Sequence, residues 1–153
     1  MKTLTRIVVL ILPLLFIACG GKEHYFEYRT VSASGWDKDS VLIYDFKIED
    51  ASKEYDLLLH FRHFGDFPYQ NVWLFTSHGK SGENRVDKDS VEFYLADDYG
   101  KWLGNGVGAI KEMVVLYRQA VHFPDSGSYR MEIRHGMRDL QLRGVSEVGL
   151  RIE

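Results

Sequence analysis

The chain of 153 residues has one cysteine, Cys19, and only three prolines. A lone thiol excludes an internal disulfide, a thiolate metal cluster and a C-x-x-C redox pair, so the fold has to be held by its core. Positive charge is not in excess either: 19 basic residues face 22 acidic ones. Nucleic acid and anionic membrane surfaces both reward a basic patch, so neither is an expected partner. No apolar run approaches the about 20 residues that a transmembrane helix needs. The longest, Ile7–Ala18, is about a dozen residues and is interrupted by Pro13. Heptads, internal repeats and low-complexity segments are missing as well.

What is present begins at the N-terminus. Lys2 and Arg6 supply a short cationic start, Ile7–Ala18 the apolar stretch, and Ala18 a small residue directly before Cys19. This is the layout of a secretory signal peptide. With the cysteine at the cleavage point, it has the form of a bacterial lipoprotein signal, with Phe16 where Leu is most common. As a buried helix, the same stretch would carry Pro13 in its interior at a cost of about 3 kcal/mol. Residues 1–18 are therefore expected to be removed and Cys19 to carry acyl chains such as palmitate. Each buried methylene contributes about 0.8 kcal/mol, and lasting attachment takes more than one chain. Gly20 follows, with no Asp to signal inner-membrane retention, so an outer-membrane destination is expected. Dropping Lys2 and Arg6 leaves 17 basic against 22 acidic residues, a net of −5 on a body the size of one domain.

Residues 19–24 read as a short polar tether, and 25–153 as a single β domain rich in aromatics. Tyr25–Val31 is the first strand. In Ser40–Ile48, Leu42, Tyr44, Phe46 and Ile48 share the expected core face. Tyr55–Phe64 sets Leu57, Leu59, Phe61 and His63 against Leu58, His60 and Arg62. Gln70–Ser77 sets Val72, Leu74 and Thr76 against Trp73, Phe75 and Ser77. Residues 78–89 read as a polar loop of about a dozen residues. Ser90–Ala96 is a further strand, and four glycines punctuate Gly100–Gly108. Ile110–Phe123 fits a strand or a short helix, with its valines favouring strand. Ser128–Arg134 points Tyr129, Met131 and Ile133 inward, and Gly144–Ile152 closes the chain. About eight short strands indicate an all-β, antiparallel β-sandwich, with a jelly roll as the specific expectation.

No residue set spells out a reaction. His60 and His63 lie three apart on a strand and so project to opposite faces, which rules out one shared ion. H-E-x-x-H and G-x-S-x-G are missing. Asp87/Asp89 and Asp97/Asp98 are sequence neighbours, whereas glycosidase carboxyls face each other across a sugar, about 5–10 Å apart. Asp87 and Asp89 could offer oxygens to calcium, but an EF-hand's Gly and terminal Glu are missing. The glycines of 100–108 suit a chain reversal better than a phosphate cradle, which opens a helix after a strand. No enzyme activity, cofactor or metal is expected. Trp36, Trp73 and Trp102 are either core, protein interface or sugar platform.

Several longer phrases stand out: Phe67-Pro-Tyr-Gln-Asn-Val-Trp-Leu-Phe75, Asp89-Ser-Val-Glu92 with Leu95-Ala-Asp97, Gly100-Lys-Trp-Leu-Gly-Asn-Gly106, His135-Gly-Met-Arg138 and Val148-Gly-Leu-Arg-Ile-Glu153. Together with the lipoprotein signal, they make the chain resemble the GldH family of gliding-motility lipoproteins almost end to end. The resemblance implies an outer-membrane lipoprotein required for gliding and linked to the type IX secretion machinery. It brings no catalytic residues. Within its phrases, Tyr69, Asn71, Trp102, Asn105, Met137 and Arg138 mix polar and aromatic types in or beside turns, where function tends to lie. They are the candidate surface for a protein partner or, alternatively, a glycan. The competing account is structural, with Asn71 and Asn105 satisfying turns and Trp102 packing under a loop.

Overall fold

Period-two alternation recurs along most of the chain from Tyr25 onward, and the alternating segments become strands. A computed structural model describes residues 23–83, 86–106 and 108–153. The signal segment and Cys19 lie outside the described residues. The strands are β1 (Tyr25–Thr30), β2 (Trp36–Asp37), β3 (Leu42–Ile48), β4 (Glu54–Phe64), β5 (Asn71–Lys80), β6 (Asp87–Tyr94), β7 (Ile110–His122), β8 (Gly127–His135), β9 (Gln141–Leu142) and β10 (Val145–Ile152). Among the described residues there is no helix.

Two four-stranded antiparallel sheets stack, ordered β1-β10-β4-β7 and β3-β8-β5-β6, and β2 pairs with β9 as a small extra ribbon. The pairs β1·β10, β3·β8, β4·β7 and β5·β6 are nested, first with last and inward. One long antiparallel ribbon wound around a core gives that nesting, which is the jelly roll the strand count suggested. The inner faces supply Leu57, Leu59, Phe61, Val148, Leu150 and Ile152 from one sheet and Tyr44, Ile48, Val72, Leu74, Met131 and Ile133 from the other, all buried. Burying one such side chain contributes about 1.5–3 kcal/mol. The Tyr44 hydroxyl donates to the Val148 carbonyl at 2.7 Å, a polar tie between the sheets inside the core.

The nesting also gives the sandwich two distinct ends. His24 and Tyr25 enter beside Ile152, and the ends of β3, β5 and β7 gather there. The starts of β3 and β5, the β2–β9 ribbon and the 65–70 and 136–144 turns lie at the other end. His24, read from sequence as tether, is already docked: its N–H donates to Ile152 at 2.8 Å and its ring meets the Lys47 carbonyl.

Two segments differ from the sequence reading. Much of the polar loop at 78–89 is strand, because β5 runs to Lys80 and β6 starts at Asp87. At that sandwich end the inward positions are His78, Asp87 and Asp89 rather than aliphatics, which removes the alternation that signals a strand. Inward charges on the edge strand β6 also discourage edge-to-edge pairing. In the glycine-rich run, Gly104 and Gly106 lie directly against the backbone of β7. A Cβ would sit 2.3 Å from the Glu112 carbonyl oxygen at Gly104 and 2.1 Å from that of Ile110 at Gly106. Close backbone approach is therefore what these glycines serve, alongside the expected reversal of the chain.

Candidate functional site

On β5, Asn71, Trp73 and Phe75 alternate outward while Val72 and Leu74 fill the core. The register sets Tyr94 opposite Asn71, Glu92 opposite Trp73, and Arg134 of β8 opposite Phe75. Just past the end of β8 comes Gly136, whose N–H donates to the Trp73 carbonyl at 2.6 Å. A Cβ there would lie 3.1 Å from the Phe75 ring and 3.2 Å from the Trp73 Cβ. The missing side chain thus lets both aromatics lean over the end of β8. Trp73 is 39% exposed, Phe75 50% and Tyr94 62%. Exposed aromatics that share one sheet face make this the candidate contact surface.

Beside them opens a recess of about 430 Å³ lined by Tyr69, Trp73, Gly136, Met137 and Arg138. Met137 is buried beneath it, its Sδ accepting the Trp73 N–H at 3.4 Å. Tyr69 donates to the Asp139 carboxylate at 2.8 Å, which holds its phenol above the ordinary range. Asn71 donates to Glu92 at 2.5 Å. Arg138 stands exposed on the rim.

Of the six residues chosen from sequence, the structure brings Tyr69, Met137 and Arg138 into one recess, with Asn71 on the same strand face. Trp102 and Asn105 lie elsewhere. The 95–106 segment carries them from β6 across to β7. There Trp102 pairs with Ala96 and sets its ring 4.5 Å from buried His63. Asn105 accepts the Glu112 N–H and borders a separate recess with Arg62 and Ile110. Phe75, Tyr94 and Gly136 belong to the aromatic surface without having been singled out. The outward placement of Phe75 beside Trp73 was the available signal.

A second assembly covers the outer face of the other sheet. Tyr28, Gly149 and His60 are direct cross-strand neighbours. Tyr28 reaches across Gly149 to hydrogen-bond both His60 Nδ1 at 3.0 Å and Glu112. Arg62 lies 3.8 Å over the Tyr28 ring and bridges Glu112 at 3.2 Å and Glu147 at 2.7 Å. Burial pushes the Glu112 carboxyl up, but hydrogen bonds from Tyr28 and His60 and the Arg62 charge outweigh it and hold the group low. Phe26 packs 4.8 Å from the His60 ring, and His60 Nε2 is buried without a partner. His60 Nδ1 is thus engaged by Tyr28 and Glu112 while its Nε2 is buried, so the imidazole is committed to the network. Its members come from β1, β4, β7 and β10, so no local spacing announced it. Among the described residues, no group of three His, Cys, Asp or Glu is placed to hold a metal.

Comparison with known proteins adds a family to this geometry. The family described as GldH lipoprotein matches residues 23–152. The gliding motility lipoprotein GldH homolog of Christiangramia forsetii is 34% identical over 147 residues, 92% of this chain and 89% of its own. The gliding motility lipoprotein GldH of Flavobacterium johnsoniae is 32% identical over 154 residues, 95% of this chain and 94% of its own.

Proposed function

The chain belongs to the GldH lipoprotein family and is a membrane-anchored lipoprotein, and from that premise we propose how it works. Residues 1–18 are a signal peptide, Cys19 is acylated, and the protein is held at the outer membrane. There it serves gliding motility as a noncatalytic component of the gliding and type IX secretion apparatus, through protein contacts. The exposed Trp73 and Phe75 beside Gly136, with Tyr94 on the same face of neighbouring β6, are the observation that supports this reading. Trp, Tyr and Arg dominate the energetics of protein interfaces, and here all three types meet around a recess.

The position of the surface supports it too. The chain enters the fold at Glu23, four residues after Cys19, at the end where β1 begins. Trp73 lies toward the other end, roughly 20 Å away at about 3.3 Å per strand residue. A short tether holds the entry end near the bilayer and turns the aromatic surface outward. Three outcomes are expected: gene deletion abolishes colony spreading, Cys19→Ala loses membrane fractionation, and Trp73→Ala stays folded but spreads poorly. A deletion strain that spreads and secretes normally would refute the proposal.

Glycan binding is a second reading, supported by the same exposed indole of Trp73. It predicts saturable polysaccharide binding that Trp73→Ala removes, and flat titrations across a glycan panel would dismiss it. Trp102 is the weaker platform of the two, because its ring is packed against His63.

A further inference from the structure

We propose that the segment docking on the Trp73 surface is acidic, its carboxylates held by Arg134 and Arg138 on either side of Gly136. This rests on the protein-contact reading above and adds the partner's chemistry. Arg29, Arg62, Arg118, Arg130 and Arg151 are each paired with a carboxylate. Among the described residues, Arg134 and Arg138 have no such partner, although both are exposed and both flank the aromatic surface. Arg143 is also unpaired, but it lies at another recess, beside Phe64 and Val145. In a chain with 22 acidic and 19 basic residues, two uncommitted guanidinium groups beside exposed aromatics form a local exception.

The carboxylates around the surface each accept one hydrogen bond from a local neutral donor. Glu92 accepts from Asn71, Asp139 from Tyr69 and Glu132 from Ser77. A basic partner would meet carboxylates tied into local hydrogen bonds, with the two unpaired arginines opposing it. An acidic segment finds two free forks that bind carboxylates bidentately, next to apolar area that excludes water. The acidic remainder of the molecule repels such a segment elsewhere, so charge also selects the place of contact.

Full-length protein extracted from membranes in detergent would be titrated with a random glutamate–tyrosine copolymer, read by tryptophan fluorescence at low and raised salt. Saturable binding that weakens with salt is expected. Arg134→Glu with Arg138→Glu should weaken it roughly tenfold or more, and Trp73→Ala should do the same. A double variant of equal charge change on the same face, Lys47→Glu with Lys88→Glu, should leave it intact. The proposal is overturned by absence of saturable binding, by equal loss in both double variants, or by a preference for polylysine. Tighter binding of polygalacturonate overturns it in favour of an acidic glycan. In cells, loss of the cross-linked partner in Trp73→Ala with retention in the arginine double would sink the acidic segment alone. Retention in both would sink the protein-contact reading as well.

Discussion

Acid should destabilise this protein well before its carboxylates titrate, because His63, His78 and His135 are buried with ring nitrogens that have no partner. Burial holds all three below the ordinary histidine value. The Phe64 carbonyl at His63 and Asp87 and Asp89 at His78 partly oppose burial, while Lys111 near His63 and Arg118 near His78 push the same way as burial. At His135 the Trp36 backbone, Asp139 and Asp37 oppose burial, and Lys38 lowers the value further. The unfolded chain takes up these protons near pH 6.5 and the folded chain only at lower pH. Stability is therefore complete above about 6.5, falls as pH drops below it, and levels off beneath the depressed folded values. For a histidine that stays neutral when folded, the loss from pH 7 to 5.5 is about 1.2 kcal/mol. Three give about 4 kcal/mol as an upper limit, against a typical total of about 5–15 kcal/mol. The lowered carboxylates Asp45, Asp89 and Glu112 contribute below about pH 4, outside this window. Urea unfolding at the two pH values would measure the loss, and His78→Gln should remove about a third of it. Equal stability at pH 7 and 5.5, or a rise, would refute the reasoning.

Tyr44→Phe should cost about 1–2 kcal/mol in urea unfolding with an unchanged m-value, since the Val148 carbonyl loses a buried donor. Ala120 has φ of 52° with its N–H donating to Asp56, so Ala120→Gly should stabilise by roughly 0.5 kcal/mol in the same assay. Gly149→Ala would bring a Cβ within 2.8 Å of the Tyr28 ring. It should destabilise by about 1–3 kcal/mol and release Tyr28 from Glu112, seen as a drop in the phenol's titration point from its raised value. Trp73→Ala should destabilise by about 1–2 kcal/mol, because Trp73 is only 39% exposed, and should reduce spreading while the protein stays folded.

The strands were legible wherever one face is apolar. Leu42, Tyr44, Phe46 and Ile48, or Tyr129, Met131 and Ile133, alternate with polar residues because water lies on one side only. The same logic failed at 78–89, where the inward face is polar and the pattern vanishes although the backbone stays extended. It also missed β2 and β9, two residues each, which exist only because Trp36 and Leu142 are brought together over the core. Tyr69, Met137 and Arg138 were found as phrases and then proved to be neighbours. Trp102 and Asn105 came from phrases of the same kind and are not part of that recess.

By itself, the sequence determined the class of the molecule: an all-β body behind a lipoprotein-type leader, with one cysteine and no excess of positive charge. These follow from composition and period, which are local properties of a chain. Tertiary structure decided which outward residues meet. Trp73, Phe75, Gly136 and Arg134 converge through the pairing of β5 with β8, and Tyr28, His60, Glu112 and Glu147 through a sheet that joins β1, β10, β4 and β7. Antiparallel registers between strands distant in sequence set those contacts, and no spacing along the chain encodes them. The same pairings put the chain's entry point at one end of the sandwich and the aromatic surface toward the other, which is the geometry on which the proposed orienting role of a tether at Cys19 rests.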